Sequence, residues 1–358
     1  MKALQKLLDR ARRHFGEGGR LRAFKPVFDA MDGFFLSPSD RTQIAPHARD
    51  PLDVKRYMSM VIIALVPAVL AAIYFFGLRV LAMIVVSYAA GGAVEVIFAV
   101  VRKEEINEGF LVTGLLFPLI MPPAAPLWMV AVGVAFGVLV GKEVFGGTGR
   151  NLFNPALVGR CFLLIAYAPV LAASRIAPGG GWFGRAFEYA TDTVSGATPL
   201  AAARSEPFEK WASFADLFFG GVTGSAGETS ALALLAGGIF LVVIGVANWR
   251  TVVSILVAFG LLTAALHGFE PRIVAWHFLA GGLLLGAFFM ATDPVTSPMT
   301  GAGKVAYGVL IGAVAALIRN LTGYVEGVTF AILLGNICAP ILDEIFIALH
   351  LRRLRDER

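Results

Sequence analysis

The sequence predicts an all-α polytopic membrane protein, with about ten transmembrane helices arranged as two inverted repeats of five. Of its 358 residues, 57% are hydrophobic and 15% are charged, and the mean hydropathy is +0.75. This balance is far from that of a soluble domain. Ten apolar runs predict the number of helices, and one internally repeated sequence, called the internal echo below, predicts the two inverted halves.

The apolar runs approach or reach the roughly 20 residues that a helix needs to cross ~30 Å of hydrocarbon. They lie at about 57–76, 79–100, 109–121, 126–140, 154–173, 230–247, 251–267, 273–290, 304–319 and 327–349. The third and fourth runs are short and are separated by the Pro-rich residues 121–126. Two full crossings or one broken, re-entrant hairpin are both compatible with this pair.

The internal echo predicts the repeat. Residues 134–141 read VAFGVLVG, and residues 305–312 read VAYGVLIG, with six identities in eight positions. The copies lie in the fourth and ninth runs, so an odd number of crossings separates them and the repeat must be inverted. Inverted repeats commonly build a site between broken helices near the membrane midplane.

The basic residues predict the orientation. Twelve Lys and Arg, beside seven acids, precede the first apolar run, and we interpret this segment as a cytoplasmic anchor rather than as a nucleic-acid site. The predicted regions are a cytoplasmic, amphipathic and basic segment (1–56), the first repeat (57–173), a periplasmic loop (174–229), the second repeat (230–349) and a cytoplasmic tail (350–358). Both termini are therefore expected in the cytoplasm.

Some classes of site are not indicated. Cys161 and Cys338 stand singly in apolar stretches without a C-x-x-C spacing, so neither a disulfide framework nor a self-contained iron-sulfur or zinc site is indicated. The sequence also contains no dinucleotide fingerprint and no phosphate loop. Oxidation of a nicotinamide nucleotide would have to occur on a partner.

One motif in the predicted periplasmic loop carries chemistry. It reads Asp192-Thr-Val-Ser195-Gly196-Ala197-Thr198, a turn of small residues that is expected to leave the threonine hydroxyl accessible. A threonine hydroxyl is not intrinsically nucleophilic, so these residues alone describe only a polar turn.

The chain resembles the B subunit of the sodium-translocating NADH:quinone reductases. The D-x-x-S-G-A-T string is similar to their flavinylation motif, and further motifs match along the chain: residues 14–19 (HFGEGG), 107–110 (NEGF), 142–151 (KEVFGGTGRN), 154–157 (NPAL), 290–294 (MATDP) and 339–343 (APILD). The resemblance implies FMN joined to Thr198 through a phosphoester by a flavin transferase. It also implies noncovalent riboflavin, ubiquinone as substrate, Na⁺ as the exported ion, the A, C, D, E and F subunits as partners, and a bacterial inner-membrane location.

The resemblance also implies a quinone site. It assigns this site to Gly91, Gly92, Glu95 and Phe162, because two adjacent glycines would let a flat ring approach the helix backbone. The alternative is tight helix packing through the glycine pair, with Glu95 reaching toward the membrane surface.

Acidic and amide side chains are the remaining candidates. The resemblance assigns Asp29, Glu95, Asp293 and Asp343 to the sodium pathway, and the alternative is that Asp293 and Asp343 cap broken helices. It places riboflavin near Asn154, with Asn151 beside it. A structural N-cap role for Asn151 is equally compatible with the sequence.

Three other interpretations stay open. Only residues 77–79 separate the first two helices, and this compactness is typical of the D subunit of the Rnf complex, an ion-translocating ferredoxin:NAD oxidoreductase. Ten helices with an inverted repeat would also suit a solute channel or transporter. A scaffold for other redox subunits would carry no chromophore.

Overall fold

The computed structural model describes residues 54–103, 109–179, 196–322, 324 and 327–356. The described residues form helices joined by turns and contain no strand, so the predicted all-α multi-pass membrane class is confirmed. Asp29, Asp192 and Ser195 lie outside the described residues.

Within the described ranges, the helices follow one another in fourteen segments. They are α1 (Val54–Phe76), α2 (Leu78–Arg102), α3 (Gly109–Ile120), α4 (Leu127–Gly141), α5 (Pro155–Ala166), α6 (Ala168–Ala173), α7 (Pro199–Ala202), α8 (Phe214–Phe219), α9 (Ala231–Val243), α10 (Trp249–Leu266), α11 (Pro271–Leu279), α12 (Leu283–Leu285, continued as one π-helical turn over Gly286–Met290), α13 (Gly301–Leu321) and α14 (Gly327–Asp356). Short 3₁₀ turns cover Glu143–Phe145 and Phe208–Lys210.

Six of the described helices are long and apolar enough to cross a membrane, and the α11–α12 pair, bent by 66°, makes a seventh. Three apolar helices are shorter: α3 and α5 have 12 residues each and α9 has 13. At 1.5 Å per residue they cover only about 20 Å of the ~30 Å core. The count of ten full spans therefore stays a prediction.

The short helices do not fall where the sequence indicated. The fourth run was expected to be short for a full crossing, but its helix is long and apolar enough for one over Leu127–Phe145. The fifth and sixth runs were expected to be full crossings, yet the fifth is interrupted at Tyr167, ahead of Pro169. The sixth ends at Val243. Pro169 interrupts the fifth run, and the sixth helix ends just before Gly245, which has φ 78°.

Connections between helices lie on two opposite faces. The Thr198 face comprises 76–79, 121–126, 172–179, 196–230, 267–282 and 321–324, and is joined by hydrogen bonds such as Ala124 N to Ser174 O and Ala226 N to Met121 O. The Asn154 face comprises 102–103, 109, 141–155, 244–249 and 291–300. The Asn154 face corresponds to the predicted cytoplasmic side, and the Thr198 face to the predicted periplasmic side.

Glycines let several helix pairs approach at backbone distance. A Cβ on Gly137 or Gly159 would collide with backbone atoms across the α4–α5 contact, and a Cβ on Gly237 in α9 would collide with the carbonyl of Ala64 in α1. Small residues at such crossings are how membrane helices associate without a hydrophobic driving force. Gly77 (φ 84°) is the only residue between α1 and α2.

Helix pairing agrees in outline with the predicted repeat. The second helix of each half packs on the fourth, and the fourth packs on the last: α2, α4 and α5 in the first half, and α10, α13 and α14 in the second. The echoed glycines differ, however. Gly137 faces α5, whereas Gly308 faces Thr251 and Ser254 of α10. The repeat itself stays a prediction.

Candidate functional site

Thr198 begins the short helix α7 on the Thr198 face. Its Oγ1 accepts a hydrogen bond from the backbone N–H of Ala201 at 3.2 Å, and the residue is 5% exposed. The prediction that the Thr198 hydroxyl is accessible is therefore wrong for this conformation, because its oxygen caps a helix turn. Ala197 beside it is exposed, and the N–H of Gly196 donates to the carbonyl of Arg175.

A small pocket of about 20 Å³ lies beside Thr198, with room for about one water molecule. Its lining includes Thr223, Glu228 and Gly281. Gly281 has φ 67° and lies at the bend between α11 and α12, a backbone conformation that glycine adopts at no steric cost. The candidate flavin attachment residue therefore lies at a broken span.

Buried charged residues lie on the same face of the protein as this pocket, and one of them, Glu228, lines it. Arg160 of α5, Arg319 of α13 and Glu228 of the loop are 6%, 4% and 7% exposed. Arg160 donates to Ser225 Oγ at 3.2 Å, and the N–H of Ser225 donates to Glu228 Oε1 at 2.8 Å. Arg319 Nη1 donates to the carbonyl of His277 at 2.7 Å. Charges inside a membrane segment are costly, which makes each of them a functional candidate.

A second cavity, of about 60 Å³, opens on the Asn154 face. Three sequence motifs meet there, because its lining includes Gly109 of NEGF, Asn154 of NPAL and Asp293 of MATDP, together with Tyr57 and Thr113. The lining mixes polar and apolar groups. The volume suits a few water molecules or an ion and is far below the roughly 300–1,000 Å³ of a typical ligand pocket.

Asn154, not Asn151, is the N-cap of α5. Its Oδ1 accepts from the N–H groups of Ala156 and Leu157 at 3.0 and 3.5 Å, so the alternative that gave the cap to Asn151 is wrong. The Asn151 amide instead bridges the glycine-rich turn, accepting from Gly149 N and donating to Phe153 O.

The two aspartates have different surroundings. Asp293 borders the cavity, and its oxygens accept from Val295 N and Thr296 Oγ1 at 3.1 and 3.2 Å. Desolvation raises the pKa of its carboxyl, and these two hydrogen bonds partly oppose the rise. Asp343 of α14 accepts from Met299 N, Thr300 N and Thr300 Oγ1 at 2.7, 2.9 and 2.6 Å. Both of its oxygens therefore hold the residues at the start of α13, whose N-cap residue is Thr300.

The glycine pair of α2 packs on a side chain of the protein itself. A Cβ on Gly91 would lie 2.6 Å from the ring of Phe110, and one on Gly92 would lie 3.3 Å from it. Phe162 has other neighbours: it stacks on Phe136 of α4 with ring centroids 4.1 Å apart. The structure therefore does not bring Phe162 into contact with the glycine pair.

Glu95 forms a buried ion pair one turn further along α2. Its Oε1 lies 2.7 Å from Lys142 Nζ, and the side chains are 6% and 4% exposed. Beside it, Arg102 pairs with Glu143 at 3.0 Å. These pairs fix the end of α2 to the end of α4, and they give Glu95 a positively charged partner.

Comparison with known proteins decides the family. A profile described as the NQR2, RnfD, RnfE family matches residues 41–351. The chain belongs to this family. Members of both the Nqr and the Rnf complexes fall under that description, so the profile alone does not separate the two.

Individual members of the family are similar to this chain over nearly its whole length. The Na(+)-translocating NADH-quinone reductase B subunit of Azotobacter vinelandii is 36% identical, with 98% of each chain covered. The proteins of the same name from Chromohalobacter salexigens and Pseudomonas aeruginosa are 35% identical, with 98% of this chain and 95% and 98% of theirs covered. The first alignment spans 406 positions against 358 residues here. The relatives therefore contain residues without a counterpart in this family member.

Sequence reasoning missed the buried charges of the Thr198 face. Arg160 lies within the fifth apolar run, so its position was a visible signal. Glu228 stands in a polar loop and gave no signal, because its burial depends on the loop folding back against α3 and α12. Lys142 was visible only as the first residue of the 142–151 motif, because its partner Glu95 lies 47 positions away in sequence.

Proposed function

We propose that this chain is the membrane redox subunit of a Na⁺-translocating NADH:ubiquinone reductase, with FMN attached to Thr198. The names of its relatives support the complex. The observation that carries the attachment is the position of Thr198: it ends the D-x-x-S-G-A-T string and borders a water-sized pocket at a broken span.

The residues at Thr198 fit a flavin phosphoester. The oxygen of Thr198 acts as an acceptor from Ala201 N, and an ester oxygen keeps a lone pair for that bond. The pocket is too small for the ring system, so the ring would extend outward past Ala197. When bound, the flavin would supply one- and two-electron chemistry, and Thr198 would anchor its phosphate to this chain.

Riboflavin and ubiquinone are supported less directly. The cavity at Asn154 is too small for a three-ring flavin, so riboflavin there rests on the resemblance. Ubiquinone at Gly91 and Gly92 would require the ring of Phe110 to turn away. Phe162 does not contact this glycine pair, so it would contribute to the quinone site from its own position beside Phe136.

For sodium we propose Asp293, because its carboxylate borders a cavity of suitable size for an ion with waters. Hard cations prefer such oxygen ligands. The capping contacts of Asp343 and the lysine partner of Glu95 favour structural roles for those two acids. Asp29 stays a proposal from the resemblance.

The remaining parts of the proposal concern assembly and location. A flavin transferase would modify Thr198 from the periplasm, with both termini of the chain in the cytoplasm and the complex in the bacterial inner membrane. NADH would be oxidised on another of the A, C, D, E and F subunits. The short α1–α2 connection at Gly77 keeps an Rnf-type D subunit as the second candidate.

The test is covalent fluorescence. After expression with a flavin transferase, the denatured polypeptide should fluoresce under ultraviolet light, and Thr198→Val should abolish the signal. Thr223→Val is the matched control, since Thr223 lines the same pocket outside the motif and should leave the label intact. A labelled Thr198→Val chain, or an unlabelled wild-type chain, would contradict the proposal.

A further inference from the structure

The hydroxyl of Thr198 lies where a second enzyme has no room to reach it. The residue is 5% exposed, and its Oγ1 accepts a hydrogen bond from the N–H of Ala201 at 3.2 Å. The pocket beside it has a volume of about 20 Å³, whereas a phosphoryl donor must come within roughly 3–3.5 Å of the attacking oxygen, in line with the bond that breaks. A flavin donor therefore cannot take this position in the conformation described here.

The residues that follow Thr198 are anchored by one buried side chain. We call residues 198–204 the Thr198 segment. Its Leu200 is 6% exposed and belongs to a small apolar cluster with Leu217 of α8 and Trp276 of α11. A Cβ on Gly281 would lie 2.7 Å from Leu200 Cδ1, so Leu200 also contacts the bend between α11 and α12.

Arg204 fastens the other end of the Thr198 segment. Its Nη2 donates to the carbonyls of Arg319 and Tyr324, both at 3.1 Å. The first carbonyl lies in the last turn of α13, where the helix dipole favours a cation. Arg204 is exposed, so these bonds contribute only a modest net stability, because water can replace either partner. The attachment through Arg204 is therefore one that can release.

Release of the Thr198 segment would disturb little else. α7 is a single turn of four residues, and residues 204–207, 209 and 210, which follow it, are exposed. Neither Leu200 nor Arg204 belongs to a helix that crosses the membrane. Segments with few buried contacts open locally at a much lower free energy than the whole protein unfolds. The Thr198 segment has the features of such a locally opening unit.

We infer that the Thr198 segment must open to receive its flavin, and that Leu200 and Arg204 set how often it opens. This inference rests on the proposed attachment at Thr198. In the open segment a base of the transferase takes the hydroxyl proton of Thr198, an Oγ1–P bond forms, and the pyrophosphate bond of a flavin dinucleotide breaks, with a nucleoside monophosphate as the leaving group. Where opening and closing are faster than the transfer, the labelling rate is proportional to the open fraction.

The experiment times flavin attachment to the full chain purified in detergent. The chain is produced in cells without a flavin transferase and is then mixed with a purified transferase and flavin adenine dinucleotide, and the fluorescence of the denatured polypeptide is followed. Leu200→Ala removes most of the buried leucine surface, so the labelling rate should rise about tenfold. Arg204→Gln should raise the rate by a smaller factor, and it carries the test alone if Leu200→Ala does not accumulate.

Two control variants separate local opening from general effects. Leu241→Ala truncates a buried leucine of α9 that lines the cavity on the opposite face, and Lys210→Gln removes an exposed positive charge from the loop that contains Arg204. Both should be labelled at the wild-type rate. Equal rates in the wild type, Leu200→Ala and Arg204→Gln would overturn the inference. A chain labelled during co-expression, but in none of the purified forms, would overturn it as well.

Thiol labelling measures the opening without any flavin. Thr198→Cys is introduced into a chain in which Cys161 and Cys338, its two cysteines, are replaced by alanine, and the reaction with a water-soluble maleimide is timed. Leu200→Ala should accelerate this reaction by the same factor as flavin attachment. An unchanged thiol rate would overturn the opening while leaving Thr198 as the attachment site. An accelerated thiol rate in a chain that never acquires flavin would support the opening and refute the attachment.

Discussion

The ion pair between Glu95 and Lys142 allows a quantitative prediction. Both side chains are almost fully buried and their charged atoms are 2.7 Å apart, so Lys142→Met would leave a carboxylate buried without its counter-charge. Breaking such a pair from one side costs about 3–5 kcal/mol. In a chain of this size, with an unfolding entropy of about 2.1 cal/mol/K per residue, that loss corresponds to a decrease in Tm of about 4–7 °C.

The assay is thermal unfolding of the purified protein in detergent. Glu95→Gln in the Lys142→Met background should recover most of the loss, because the unpaired charge is then gone. Lys103→Met, which removes an exposed lysine one residue beyond α2, should change stability by less than about 0.5 kcal/mol. Wild-type stability in Lys142→Met, or a double variant that simply adds the two single losses, would refute the ion-pair reasoning.

Three further predictions concern the candidate sites. Asp293→Asn should raise the half-saturating sodium concentration while flavin content stays constant. Because the pKa of the Asp293 carboxyl is raised, protons should compete with sodium in the wild type as pH falls. Unchanged sodium activation in Asp293→Asn would remove Asp293 from the sodium path. Asp343→Asn should keep wild-type sodium activation and Asp343→Ala should cost about 1–2 kcal/mol in unfolding experiments; a sodium defect in Asp343→Asn would contradict its capping role. Gly91→Ala should lower quinone reduction and stability more than Gly92→Ala, because its Cβ would lie 2.6 rather than 3.3 Å from Phe110; equal effects would contradict this packing.

The sequence was sufficient for the fold class and for the positions of the apolar helices. Each run from 57–76 to 327–349 contains a helix, because apolar composition determines where a membrane helix forms. Helix length was less predictable. α9 ends at Val243, and the α11–α12 span bends at Gly281. Both features lie at glycines with positive φ, Gly245 and Gly281, and hydropathy alone does not reveal which glycine ends or bends a helix.

Candidate site residues could be predicted from the sequence only where they belong to a recognisable motif. Thr198, Asn154 and Asp293 were found from their strings, and the structure brings the last two to one cavity. Glu228 could not be found, because a loop glutamate gives no sign that it will be buried at 7% exposure. Pairings such as Glu95 with Lys142 join residues 47 positions apart and require the tertiary structure.

The attachment of flavin at Thr198 is the central claim, and peptide mass mapping tests it most directly. Trypsin should release residues 186–204, which contain Thr198 together with Thr191, Thr193 and Ser195. The account predicts that this peptide carries the added mass of one FMN and that fragmentation localises it to Thr198. Flavin mass on another hydroxyl of the peptide, or an unmodified peptide from cells that contain a flavin transferase, would contradict it.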